Sequence, residues 1–236
     1  MVASLLSILH SCPTYNIYDY AMIPAFVITI LDNPQSKKVA GRCIEQAAVF
    51  GIECKPWKAT TPADNLHGLF EKDNLLPEGF IEKYSRLENC MAAFHSHFSL
   101  WKHCVKLNRE IIIFEHDAVV VNAIPEFLNH KGCISLGKPS YGKFNTPGSF
   151  GVNPLTSKRY FPGAHAYRIK PAYAKKMIEE AQRAARPTDV FLHLDIFPDL
   201  EEYYPWPVEA WDSFTTIQKE EGCLAKHNYG QKYGII

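Results

Sequence analysis

The chain has no excess of charge of either sign: 25 Lys and Arg balance 25 Asp and Glu. A protein built to grip a phosphate backbone draws its contacts from Lys and Arg and is normally basic, so bulk charge argues against that class while leaving room for a local patch. Long apolar runs are missing too. The longest, residues 21–31, is about half of the ~20 residues a membrane-spanning helix needs. The apolar start lacks the basic segment of a secretory leader, because Lys37 is the first Lys or Arg. None of the seven cysteines forms a C-x-x-C pair, and a chain of 236 residues does not depend on disulfide staples. They read as small, reduced core residues, and together these absences predict a cytoplasmic protein with no membrane span. Among ten histidines there is no H-E-x-x-H, and no Cys stands at ligand spacing to His95, His97 or His103, which removes the common zinc signatures. No repeat, linker or low-complexity segment divides the chain. With 47% hydrophobic and 21% charged residues it reads as one folded domain over residues 1–236.

What is present is an α/β pattern. Residues 26–31 form an apolar, β-branched burst closed by Asp32, Asn33 and Pro34, a buried strand followed by a turn. Val39, Cys43, Ala47 and Phe50 then recur at helical spacing, Gly51 stops the helix, and residues 52–57 read as a second strand. Strand, helix and strand in this order are the signature of a parallel sheet. After a loop-rich stretch, Ser85 and Glu88 fit a capping box at the head of a long helix to about residue 107, with Cys90, Phe94, His97 and Trp101 on its apolar face. Further strands are expected at 111–114, 133–137 and 164–169, a loop over 141–154, and a helix from Pro171 with Met177 and Ala181 inward.

The chemistry concentrates where the strand at 111–114 ends. Four apolar residues give way to Glu115, His116 and Asp117. In extended backbone, residues two apart share a face, so Glu115 and Asp117 are expected on one side and His116 on the other. Two neighbouring carboxylates repel unless a proton or cation lies between them. Hard oxygen donors suit Mg²⁺ or Mn²⁺, ions that commonly join protein carboxylates to substrate phosphates. The competing reading is a solvated acidic turn.

These residues resemble glycosyltransferase family 25. Ser96, His97 and Trp101 on a helix, followed by an apolar strand running into Glu115, His116 and Asp117, are similar to its Ser-His, Trp and Glu-Asp-Asp elements, with the middle acid replaced. Residues 28–32 with Arg42, Gly163 with Tyr167, Pro187 with Asp189, and residues 205–217 ending in Ser213 to Ile217 resemble further segments of the family. The resemblance spans about residues 26–218. It implies a GT-A-like fold, with a Rossmann-type, mostly parallel sheet flanked by helices. It also implies an inverting transferase with a divalent cation (Mn²⁺ or Mg²⁺) and a nucleotide-sugar donor, a UDP-sugar by preference. Glu115 and Asp117 are then the metal and diphosphate residues, and Asp32 a nucleotide contact. Asp189 is the general base, with a helix cap as its alternative and Asp195 as runner-up. His97 and Trp206 are expected to shape the substrate pocket, and His227 is a possible extra ligand. Tyr203, Tyr204, Trp206 and Trp211 supply faces on which sugars stack. The acceptor is a hydroxyl, expected on a lipopolysaccharide-type glycan. A hydroxymethylated base of DNA is the alternative, for which a basic groove built from Lys131, Lys138, Lys143, Lys158, Arg159 and Lys170 would speak. A non-catalytic nucleotide-sugar-binding module is a third reading, motivated by His116. Neither the oligomeric state nor the identity of the sugar follows from the sequence.

Overall fold

The computed structural model describes residues 22–81, 85–211, 214–219 and 234–235. Cys12, Ser213, Cys223 and His227 lie outside these. Strand β1 (Ala25–Thr29) leads through helix α1 (Pro34–Val49) to β2 (Cys54–Lys58), as the sequence predicts. Asn33 caps α1 by accepting the N–H groups of Gln35 and Ser36, and Pro34 occupies the first turn, where its missing donor costs nothing. Two helices follow, α2 (Leu66–Lys72) and the long α3 (Leu87–Leu107), and then β3 (Ile111–Glu115) and β4 (Ala118–Val120). The remaining elements are β5 (Cys133–Ser135), β6 (Gly151–Pro154), β7 (Ala166–Ile169), α4 (Pro171–Ala184), α5 (Thr188–Phe191), β8 (Glu201–Tyr204), β9 (Val208–Ala210), β10 (Phe214–Thr215) and β11 (Gly234–Ile235).

Seven strands form the central sheet in the order β2-β1-β3-β7-β5-β8-β6. Their pairings give β2, β1, β3, β5 and β8 one direction and β7 and β6 the other, so the sheet is mostly parallel with two reversed strands. The central strands β1 and β3 are apolar on both faces because helices cover both. Ala25, Val27, Ile112 and Phe114 pack with Ala40, Cys43 and Ala47 of α1. Their alternates Phe26, Ile28, Ile111 and Ile113 pack with Phe94, Phe98 and Trp101 of α3 and with Met177 and Ala181 of α4. Phe94, Phe98, Leu100 and Trp101 are wholly enclosed, each worth ~1.5–3 kcal/mol of burial. Cys43, Cys54, Cys90, Cys104 and Cys133 are buried and unpaired, as expected.

Two local expectations fail. The capping box does not form: α3 begins at Leu87 with Arg86 at its cap and no side-chain capping bond. Arg86 N–H instead donates to Ile217 O at 2.7 Å, and Ser85 bridges to Gln218, so a distant segment secures this helix start. The loop expected over 141–154 ends in β6, an edge strand paired only with β8 that stops at Pro154.

A buried ion cluster ties the sheet to the loop between β4 and β5. Arg168 on β7 is 1% exposed and donates to both Glu110 oxygens at 3.0 Å, and to the carbonyls of Pro125 and Glu126. Burial pushes the Glu110 carboxyl up, but hydrogen bonds from His130 and Arg168 outweigh it and hold the group at about 2. A carboxyl depressed in the folded state contributes stability above its unfolded value near 4.5 that is lost as pH falls toward 2. Glu110→Gln is therefore expected to lower stability by about 3–5 kcal/mol at pH 7, by leaving Arg168 buried without its counter-charge. Chemical denaturation at pH 7, 4 and 2 checks this, the gap between the two proteins closing between pH 4.5 and 2.

Candidate active site

Strand order reverses between β1 and β3: β2 follows β1 on one side, and β3 lies on the other. In open α/β sheets ligands bind outside the carboxyl ends of the strands at such a switch point. An open cleft lies there. Ile28 and Ile30 line it from β1 and its end, Glu115 and His116 from the end of β3, and Asn89, Ala92, Ala93, Ser96 and His97 from α3. Thr60, Thr61 and Pro62 beyond β2, with Thr216 and Ile217, close it.

Glu115 continues the face of Ile111 and Ile113 and so meets α3, where His97 Nε2 lies 2.9 Å from its Oε1. Behind His97 the hydrogen bonds run in one direction only. The Trp101 indole can only donate, and its Nε1–H goes to Tyr167 Oη at 2.8 Å. The Glu115 carboxylate only accepts, so the imidazole carries a proton on Nε2 and donates it there. In the neutral ring Nδ1 is then bare and accepts the Tyr167 hydroxyl proton, 2.9 Å away. His97 is 1% exposed, and burial pushes its pKa down to about 3, so it is a neutral donor to Glu115 rather than a charged partner. Gly163, at φ 82°, makes the turn that delivers Tyr167 into this chain; a Cβ there would stand 2.6 Å from Ser140 Oγ.

The chain bends straight after Glu115, so the two-residue alternation stops. His116 lies 2.8 Å from Ser36 Oγ in the first turn of α1, on the side expected, yet still lines the cleft. The Asp117 carbonyl accepts from Arg42 Nη2 at 3.2 Å and from Trp211 N–H at 3.0 Å, and the residue's charge acts on Cys43, His116 and His165. A turn, not extended backbone, joins Glu115 to Asp117 and leads into β4, which pairs with β9 outside the main sheet, so two-residue alternation does not fix how the two carboxylates lie.

The other predicted residues lie off the cleft wall. Asp32 is exposed in the turn after β1. Asp189 is in α5, capped by Pro187, and accepts the Tyr141 hydroxyl at 2.6 Å. Its helix packs on α3, with Phe191 stacked 5.4 Å from Trp101. Asp195 pairs with Arg159 at the surface. Trp206 follows β8 at the same carboxyl edge of the sheet. Its indole donates to Glu202, a fully buried carboxylate that also takes the Thr156 and Ser157 N–H groups. None of the six mid-chain cations lines the cleft; Lys138 pairs with Glu209 and Lys170 holds the His130 carbonyl. The three helix histidines do not converge: His95 meets Asp73, His97 meets Glu115, and His103 packs on Phe26 and Trp57. Thr60, Thr61 and Asp73 carry no motif and were not expected at the site.

This is an α/β fold with a cleft at its switch point and an acidic residue at its rim. The family model described as "Glycosyltransferase family 25 (LPS biosynthesis protein)" matches residues 22–147, and the chain belongs to that family of transferases. No curated protein matches it. Among solved structures it is similar to a mutant Drosophila β-1,4-galactosyltransferase 7 in complex with manganese, UDP-Gal and xylobiose. Identity is 9% and the TM-score 0.38, over 78% of this chain and 71% of that one. No described helix is long and apolar enough to cross a membrane.

Tyr167→Phe removes the hydroxyl that bonds His97 Nδ1 and accepts the Trp101 indole N–H. It is expected to destabilise by about 1–3 kcal/mol, each kcal/mol lowering Tm by about 2–4 °C. A melting curve beside His97→Gln checks it. A histidine held neutral below its ordinary 6.5 loses stability as pH falls from 6.5 toward 3, and His97→Gln flattens that slope.

Proposed function

We propose that the chain is one transferase domain that moves a sugar, with inversion, from a nucleotide donor to the hydroxyl of a saccharide. The observation that carries this is the position of Glu115, at the carboxyl end of β3 and on the wall of the switch-point cleft, in a chain of this family.

A departing nucleoside diphosphate needs its charge neutralised, and a divalent cation such as Mn²⁺ or Mg²⁺ supplies that as a Lewis acid. The donor set suits one. Sites of this kind commonly take one or two carboxylates and complete themselves with phosphate and water oxygens, and Glu115 and Asp117 are two such donors. Among the described residues no group of three or more His, Cys, Asp or Glu forms a complete protein cage. Glu115 would hold the cation from the cleft side, fixed in rotamer by the His97 Nε2–H, with Asp117 two residues further on. Neutral His97 adds no positive charge, so the full negative charge of Glu115 stays available. The apolar walls from Ile28, Ile30, Ala92 and Ala93 exclude water from the nucleoside. Asp189 is the proposed base for the acceptor proton, reached from the α5 side of α3. Trp206, edge-on to Phe144 and Tyr204, is proposed to receive the acceptor sugar on its face. Among the described residues that line the cleft there is no Lys or Arg, which favours a glycan over DNA as acceptor.

Release of nucleoside diphosphate from UDP-, GDP- and CDP-sugars, measured with Mn²⁺ and with chelator, tests this. One donor is expected to give metal-dependent release, lowered about 100-fold by Glu115→Gln. Equal release in chelator would remove the metal role, and no release from any donor would leave a nucleotide-sugar-binding module.

A further inference from the structure

The wall of the cleft beyond β2 offers ligands lone pairs and no protons. Thr60 Oγ1 lies 2.8 Å from His95 Nδ1, and His95 Nε2 lies 3.1 Å from Asp73 Oδ2. The Asp73 side chain is 10% exposed, and its other oxygen takes Lys102. A carboxylate only accepts, so His95 Nε2 carries a proton. Burial lowers the pKa of His95 against the pull of Asp73, keeping the ring neutral, and Nδ1 is then a bare acceptor that takes the Thr60 hydroxyl proton. The next residue repeats the arrangement. Thr61 Oγ1 donates to Asp64 Oδ2 at 2.7 Å and its N–H donates to the same oxygen at 2.8 Å; these bonds hold the Asp64 carboxyl below its usual range and therefore ionised. Each hydroxyl has one proton, and both protons are spent on the protein. Two adjacent threonines on the cleft wall are left with acceptor capacity alone.

We propose that Thr60 and Thr61 form a paired-acceptor subsite that binds two neighbouring hydrogen-bond donors of the nucleoside and fixes which way the donor substrate lies in the cleft. This rests on the nucleotide reading given above. Two chemistries present such a pair: the vicinal 2′- and 3′-hydroxyls of ribose, and the N1–H with the 2-amino group of guanine. Phosphate oxygens are acceptors and are rejected here, so the diphosphate lies at the opposite end of the cleft, toward Glu115 and His116.

The test is binding of UDP, 2′-deoxy-UDP, GDP and IDP, with Mn²⁺, to the wild-type chain and to Thr60→Val, Thr60→Ser, Thr61→Val and Thr61→Ser. Each Val variant removes the acceptor at nearly constant shape and is expected to weaken the preferred nucleotide about tenfold, with Ser restoring it. Ribose as the source predicts that 2′-deoxy-UDP binds wild type about tenfold more weakly than UDP, and that a Val variant loses this preference. Guanine as the source predicts GDP binding well above IDP, with the difference lost in a Val variant. Because the nucleotide comparisons use the unaltered protein, a misfolded variant does not blunt the test. Wild-type binding that ignores both the 2′-hydroxyl and the 2-amino group, or folded Val variants that bind as wild type, would overturn the subsite alone. Failure of wild type to bind any of the four, and CDP as well, would overturn the nucleotide reading together with it.

Discussion

The hydrogen-bond chain that joins Trp101, Tyr167, His97 and Glu115 has one direction, because a carboxylate only accepts and a neutral imidazole has one proton to give it. That direction settles the tautomer of a buried imidazole and, through it, the orientation of the acidic residue on the cleft wall. Three elements are locked by it: α3 supplies Trp101 and His97, β7 supplies Tyr167 and β3 supplies Glu115. A carboxylate fixed by a neutral donor keeps its charge for a ligand, whereas a charged histidine would already have neutralised it. The same chain explains why His97 and Tyr167 sit in the apolar core although both carry polar groups. Burying a polar group costs little when its bonds are made, and the bonds here are made within the core.

The fold delivers this chain to the place where a ligand can use it. The two helix layers pack against opposite faces of one sheet, and the reversal of strand order between β1 and β3 opens a gap between the layers at the carboxyl edge. α3 lies along that gap, which is how one helix reaches both ends of the cleft. His95 works toward the loop after β2, and His97, two residues on, works toward the end of β3. The proposed nucleoside end and the charge-bearing end of the site are thus both tied to neighbouring residues of one helix.

Much of this was legible in the residues. The β-branched and apolar runs at 26–31 and 111–114 read as buried strands, which form over Ala25–Thr29 and Ile111–Glu115, and the apolar stripe of α3 was equally legible. Ser96, His97, Trp101, Glu115 and Tyr167, read as separate resemblances to one family, prove to be physically joined or adjacent. What the sequence hid follows from long-range geometry. The turn at His116 and Asp117 exists because β4 leaves the sheet to pair with β9, some ninety residues later in the chain, and no local pattern announces it. The start of α3 is secured by Ile217 rather than by Ser85 for the same reason. Thr60 and Thr61 looked like loop residues, since the role proposed for them depends on His95 and Asp64 having taken their protons. Buried ion pairs such as Glu110 with Arg168 are equally silent, because nothing near either residue marks its partner.

The most direct test of the account is the protonation state and tautomer of His97, read from its two ring ¹⁵N shifts by long-range heteronuclear NMR between pH 8 and pH 4.5. The account predicts a neutral ring with its proton on Nε2 throughout this range, and with Nδ1 shifted as a hydrogen-bonded acceptor. A ring protonated on both nitrogens within this range, or a neutral ring with its proton on Nδ1, would contradict the directed chain and the fixed carboxylate that depends on it.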